Sequence, residues 1–321
     1  MSRFPICLAL LLAATAACAT TDAPTTPQLP YTLPGQVIQG RFHVEARAPD
    51  GKILQLITDT GGGTNLSTSG ADKLGLDYTM PDNRFQPAGK ATWPDFSGAW
   101  IPAPKLDDGE VPILVAPAGV GFDGMLGATW FADRTWEWDY PAGTLRLMPD
   151  RALPRADAAH VVKLGFQRGE DGEATTHLPR IAARIDGVEL QFLFNTGATF
   201  RLNEAAAEAL GDRDVIQRAG SFISTSTLEA WRERHPDWPY LEHGNGQAAM
   251  IRVPDVEIAG FHTGPVWFAA RDDRAFSVLM AQWTDRPVEG ALGGNALHTF
   301  RITADYTAGK AIFEQPSGVL P

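Results

Sequence analysis

The chain has 321 residues, 44% of them apolar and 20% charged, a balance that sets aside disorder and collagen-like repetition. Its 27 basic against 38 acidic residues give a net charge of −11, which excludes a grip on nucleic acid, since that needs clustered Lys and Arg. With 32 Gly and 24 Pro bounding only short apolar runs, the expected fold class is all-β, or mostly β, with short helices.

Residues 1–18 follow the plan of a bacterial export signal: Arg3, an apolar stretch from Ile6 to Ala14, then small residues ending in Thr15-Ala16-Ala17-Cys18. The stretch is too short to span a bilayer, and no later run reaches the roughly 20 apolar residues of a membrane helix. Cys18 resembles the acylated cysteine of a bacterial lipobox, although Thr15 stands where Leu is usual. The expectation is therefore an exported chain, in the periplasm or anchored to the outer membrane by a lipid on Cys18. An ordinary signal peptide cut nearby is the alternative. Cys7 lies within the signal, so the mature chain has no cysteine pair and must rest on core packing. Residues 19–35, ATTDAPTTPQLPYTLPG, read as an extended Thr/Pro tether.

Beyond the tether the chain repeats itself. Leu54-Gln55-Leu56-Ile57-Thr58-Asp59-Thr60-Gly61 matches Leu190-Gln191-Phe192-Leu193-Phe194-Asn195-Thr196-Gly197 at an offset of 136, and Leu74-Gly75 matches Leu210-Gly211 at the same offset. Gly124, Leu126, Gly127, Asp139, Tyr140, Ala142 and Gly143 match Gly290, Leu292, Gly293, Asp305, Tyr306, Ala308 and Gly309 at 166. Ile101-Pro102 and Val253-Pro254 sit between, at 152, which places 16 extra residues before that point and 14 after it.

Two pseudo-symmetric β-rich lobes follow, over 36–149 and 161–321, joined by a linker at 150–160. Each lobe is expected to hold a strand before its Asp/Asn-Thr-Gly turn, a short helix after it, and a closing hairpin at Asp139 to Gly143 or Asp305 to Gly309. The second short helix has Asn203 as N-cap, Glu204 in its first turn and Gly211 as stop. The extra residues of lobe two are expected as an insertion near 218–250, where Ser226-Thr227-Leu228-Glu229 reads as a capping box and Pro236 as a stop. That insertion is either a lid over the two turns or a surface elaboration.

A hydrophobic strand ending in Asp-Thr-Gly, present twice and each time followed by Gly-x-Leu-Gly, resembles the aspartic peptidases of the retropepsin and pepsin type. The resemblance covers nearly all of the mature chain. It implies that Asp59 is one of two catalytic carboxyl groups, that Thr60 and Thr196 bond across a pseudo-twofold axis, and that Gly61 and Gly197 let the backbone turn beneath the carboxylate. It also implies that Leu126, Gly127, Leu292 and Gly293 line the loops through which the active strands pass. In such a site one carboxylate takes a proton from water while a neutral carboxyl protonates the tetrahedral oxygen. The chain departs from the pattern at Asn195, an amide that can donate a hydrogen bond but cannot exchange protons.

Three readings remain open: a working aspartic endopeptidase, with Asp59 joined by another acid that the fold brings or by Asp59 of a second molecule; a pseudo-peptidase that binds extended peptide or another ligand without cutting it; and a structural module in which Asp59 merely makes a buried turn. Pairing of Asp59 with Asp59 of a second copy, in a homodimer, is the alternative to pairing within one chain. A flap is expected over Phe85 to Trp100, with Trp93 and Phe96 either touching the ligand or filling the core. Asp123 and Glu289, at equivalent places in the repeat, are expected to share a structural role. Seven histidines without H-E-x-x-H or a cysteine partner offer no zinc site, and no cofactor motif is present, so peptide or protein is the expected partner and no cofactor is expected.

Overall fold

In each repeat, a run of alternating or continuous apolar residues ends at a Thr-Gly turn and must bury both faces, which places it at the centre of a sheet. The computed structural model describes residues 27–83, 86–96, 98, 100–115 and 121–316, and is mostly β. Cys18, the export signal, residues 19–26 of the tether and Phe85 lie outside the described residues.

Lobe one is a seven-stranded sheet in the order Gly35–Ile38, Arg41–Arg47, Ile53–Thr58, Gly124–Leu126, Asn65–Ser67, Glu110–Leu114 and Gly89–Thr92. Lobe two repeats its last six strands as Arg180–Ile185, Val188–Phe194, Gly290–Leu292, Ser221–Ser224, Val266–Arg271 and Ala248–Val253, and adds strands at both edges. Register carries the repeat further than order does. Leu56, Ile57 and Thr58 face Gly124, Met125 and Leu126 in parallel, while Phe192, Leu193 and Phe194 face Gly290, Ala291 and Leu292. These pairings keep both offsets, 136 and 166, at once.

Asp123 and Glu289 have the structural role expected of them. The Asp123 carboxylate accepts from Gln55 N at 2.8 Å, and the Glu289 carboxylate from Gln191 N at 2.6 Å. Each thereby satisfies a backbone donor of the strand that leads into its turn.

A third, six-stranded sheet joins the lobes, in the order Tyr31–Thr32, Thr144–Met148, Thr135–Asp139, Arg301–Asp305, Lys310–Glu314 and Val161–Lys163. At its centre Thr135–Asp139 runs antiparallel to its own repeat copy Arg301–Asp305, with Glu137 opposite Thr303. The pseudo-twofold axis passes through that pair. The expected tether is shorter than 19–35, because Tyr31–Thr32 already pairs with Leu147 and Arg146 and Leu33 is buried. The expected linker at 150–160 ends in a 3₁₀ turn, Ala158–His160, that feeds the outer strand Val161–Lys163.

Among the described residues five short α-helices cap the strands: α1 Thr68–Leu74, α2 Ala128–Phe131, α3 Glu204–Ala209, α4 Thr225–Arg234 and α5 Gly294–Leu297. None of the described helices is long and apolar enough to cross a membrane. Asn203 caps α3 as expected, accepting from Ala206 N, and Gly211 follows the helix at φ 90°. Helix α4 begins before the expected box, because Ser224 is already extended and its hydroxyl accepts from Thr227 N.

The insertion lies elsewhere than expected. Thr64 and Ser221 donate equivalent services, accepting from Gly127 N and Gly293 N, and Ser67 and Ser224 cap equivalent helices. Gly63 to Ser67 and Glu110 to Leu114 of lobe one therefore match Gly220 to Ser224 and Trp267 to Arg271 at an offset of 157. The offset rises from 136 to 157 between Ala198 and Gly220, so the extra segment is 199–219, not 218–250. It comprises the strand pair Thr199–Arg201 and Gln217–Ala219 with α3 between them. Helix α4, read in sequence as part of the insertion, is the counterpart of α1. The match of Ile101 with Val253 also fails, since Val253 ends a strand and Ile101 lies in a connection.

The core is continuous across the axis. Trp130, Trp136 and Trp138 are fully buried, with Trp130 and Trp136 ring centroids 4.2 Å apart and Trp138 edge-on to Phe194 at 5.6 Å. The tryptophan cluster is thus packing, and Trp138 ties lobe one to the residue that precedes Asn195. Trp138→Ala is expected to cost about 3–5 kcal/mol in urea unfolding. Trp138→Phe should cost less than half of that, because the indole N–H is buried without a partner and its loss is no penalty.

Candidate functional site

The site begins where two strands run out of sheet. Asp59 N donates to Leu126 O at 3.0 Å and Asn195 N to Leu292 O at 2.9 Å, so each turn is fastened to the strand beside it. Leu126 and Leu292 are fully buried there. Gly127 and Gly293 have no room for a side chain: an added Cβ would lie 2.3 Å from Gly63 C and 2.0 Å from Gly220 O. This close backbone crossing holds each turn from below.

The two turns interlock within one chain. Thr60 N donates to Thr196 Oγ1 at 3.2 Å, Thr196 N donates to Thr60 Oγ1 at 3.1 Å, and Thr60 Oγ1 donates to Phe194 O at 2.5 Å. Both threonines are fully buried. The turn that a homodimer would need for an Asp59 to Asp59 pairing is thereby already occupied by the chain's own second turn.

Asp59 and Asn195 face each other's turns. Asp59 Oδ1 accepts from Gly61 N at 2.9 Å and Asn195 Oδ1 from Gly197 N at 3.2 Å, matching bonds in both copies. The other side-chain atoms press on the opposite glycine. A Cβ on Gly61 would lie 2.4 Å from Asn195 Nδ2, and one on Gly197 would lie 2.4 Å from Asp59 Cβ and Cγ and 2.7 Å from Oδ2. Gly61 and Gly197 are required because the partner side chain fills the space that their own would take. Asp59 Oδ2 and Asn195 Nδ2, an acceptor and a donor, are the atoms turned inward.

Burial pushes the Asp59 carboxyl up to about 6, against the N–H groups of Gly61 and Gly197 and the charge of Arg271, which pull it down. Its neighbour across the axis is neutral, so desolvation rather than a second carboxylate sets this value. One group that acts on Asp59, Arg271, and one on which Asp59 acts, Tyr306, had no assigned part in the sequence reading. Arg271 ends the strand Val266–Arg271, its guanidinium 3.7 Å over the Phe222 ring. Its counterpart in lobe one is Leu114, so the repeat gave no signal for it. Tyr306 is buried with its hydroxyl unpartnered, and burial together with the charge of Asp59 keeps it protonated. The repeat did contain it, paired with Tyr140, but only as part of a hairpin turn.

A cleft of about 480 Å³ opens beside the Asp59 turn, between Gly61 to Gly63, Thr176 and His177 of lobe two, and Met280 and Trp283. Trp93 and Phe96 do not line it. They meet edge to face at 5.6 Å and border a separate pocket with Ile101; Phe96, buried to 2% exposure, belongs to the core and Trp93 is half-buried against it. Among the described residues no three His, Cys, Asp or Glu side chains converge as metal ligands would.

No family model matches the sequence, and no curated protein matches it.

The raised Asp59 carboxyl has a consequence for stability. A proton is held more tightly in the folded than in the unfolded chain, so the associated stability is complete below about pH 4 and is lost as pH rises through 6. Asp59→Asn is therefore expected to raise the melting temperature at pH 7.5, by the equivalent of about 3 kcal/mol at most, and to leave it nearly unchanged at pH 4. Thermal unfolding at the two pH values checks this.

Proposed function

We propose that the chain is an exported, aspartic-peptidase-like hydrolase that acts on extended peptide with a single titrating carboxylate. The observation that carries this reading is the interlocked pair of turns, which sets a buried carboxylate and a fixed amide against each other beside a cleft. The doubled Asp/Asn-Thr-Gly and Gly-x-Leu-Gly pattern supports it from the sequence side.

The chemistry follows from the groups present. Ionised Asp59 takes a proton from a water molecule as the water oxygen bonds to the peptide carbonyl carbon. The carbonyl oxygen becomes an oxyanion, towards which Asn195 Nδ2–H donates. The proton on Asp59 then passes to the departing nitrogen, the C–N bond breaks, and Asp59 is ionised again. Asn195 thus stabilises charge without moving a proton, while Asp59 serves as base and then as acid. The general base must be ionised, so kcat/KM should rise through an apparent pKa of about 6 and level off above it.

Binding without cleavage is the second reading, favoured by Asn195 itself, since an amide cannot replace the proton-exchanging partner. Cleavage of a mixed peptide library by native protein, Asp59→Ala and Asn195→Asp separates the two. On the first reading native protein cuts, Asp59→Ala is silent, and Asn195→Asp is roughly 10²–10⁴ fold faster with its optimum moved to acid pH. A silent native protein with an active Asn195→Asp establishes the binding reading. Silence in all three removes the peptidase chemistry.

A further inference from the structure

Besides the cleft at Gly61 to Gly63, a second groove of different chemistry lies along the strand that pairs with the Asp59 strand. Gln39 and Arg41 border this groove, which has a volume of about 510 Å³. It reaches the second turn through hydrogen bonds: Arg41 Nη1 donates to Thr199 Oγ1 at 3.2 Å, and Thr199 Oγ1 donates to Gly197 O at 2.8 Å. Gly197 is the residue against which the Asp59 carboxyl rests. The far wall is the tail of the lobe-two insertion, Asp214 to Gln217.

Arg41 and His43 also line this groove, and they are the anomaly. Arg41 is 7% and His43 6% exposed, yet Arg41 Nε and both ring nitrogens of His43 are buried without a hydrogen-bond partner. Among the described residues no carboxylate pairs with Arg41, in a protein with 38 acidic side chains. Buried guanidinium groups are costly unless an anion answers them. Burial and the charge of Arg41 push His43 down to about 4, so at neutral pH its ring is neutral and offers one N–H and one acceptor. Asp214, the one acid bordering the groove among the described residues, is exposed on the insertion.

We propose that Arg41 and His43 form a carboxylate subsite, so that the peptide lying across Asp59 is bound with an acidic group in this groove and an apolar segment in the cleft near Met280 and Trp283. The inference rests on the peptide reading given above. The carboxylate is supplied either by the C-terminus of the peptide or by an Asp or Glu side chain; Arg41 takes it with the part of its guanidinium that faces the groove, and His43 walls the groove beside it.

Fluorescence anisotropy on the full chain at pH 7 tests it with an N-terminally labelled pool of apolar hexapeptides in three forms: free C-terminal acid, C-terminal amide, and amide with Glu at the last position. The free acid is expected to bind about tenfold tighter than the plain amide, and Arg41→Leu should equalise them. Affinity of the Glu form equal to that of the free acid would assign the subsite to side chains as well as termini. Arg41→Lys, which keeps the charge but not the fork, should retain part of the preference and covers a failure of Arg41→Leu to fold. Equal binding of acid and amide to native protein, or a preference that survives Arg41→Leu, overturns the subsite and leaves the peptide reading intact. Absence of binding by all three forms overturns the peptide reading and the subsite with it.

Discussion

Everything in this molecule is arranged around one contact, the reciprocal hydrogen bonding of Thr60 and Thr196. Each backbone N–H donates to the other's hydroxyl oxygen, with no solvent access, so neither turn has a satisfied backbone without its partner. That requirement fixes the distance between the lobes at the turns. It then forces the glycines, because at this separation the Asp59 and Asn195 side chains occupy the positions that Cβ atoms of Gly197 and Gly61 would take. The shared six-stranded sheet and the aromatic cluster around Trp138 hold the same axis from the other side.

Much of this was legible in the sequence, for a physical reason. Sheet register is exacting, since a slip of one residue turns every side chain to the wrong face, so equivalent strands must keep equivalent spacing. The offsets of 136 and 166 survive for that reason, and they located Asp59, Asn195, both threonines, the glycines and the two Leu-Gly pairs. The insertion was misplaced because helix capping is a local code. Helix α3 keeps the N-cap and the spacing from its turn that α1 has, yet the sheet position of α1 went to α4. Local pattern could not tell which of two well-capped helices the sheet would take. Phe96 was ambiguous for a similar reason: an aromatic residue in a flap and one in a core look alike until the neighbours are known.

What sequence could not supply was electrostatic context. Arg271 stands where the repeat has Leu114, and only folding brings its charge within reach of Asp59. The same holds for Arg41 and His43, two residues apart on one strand and unremarkable as letters. The burial of Arg41 Nε and of both His43 ring nitrogens without partners emerges only when the strand is pinned between a sheet and the insertion of the other lobe. In each case the residue type was visible and its surroundings were not.

The joining of both copies in one polypeptide has a consequence for how such a protein can change. In a symmetric dimer of identical chains, any substitution appears on both sides of the axis, so an amide in place of the acid would remove every carboxylate at once. Fused copies are released from that rule. Asn195, Arg271 and the segment 199–219 all belong to lobe two, while Asp59, Arg41 and His43 belong to lobe one. One half carries the titrating group and the other an amide, and the covalent link is what allows the two sides of the axis to differ.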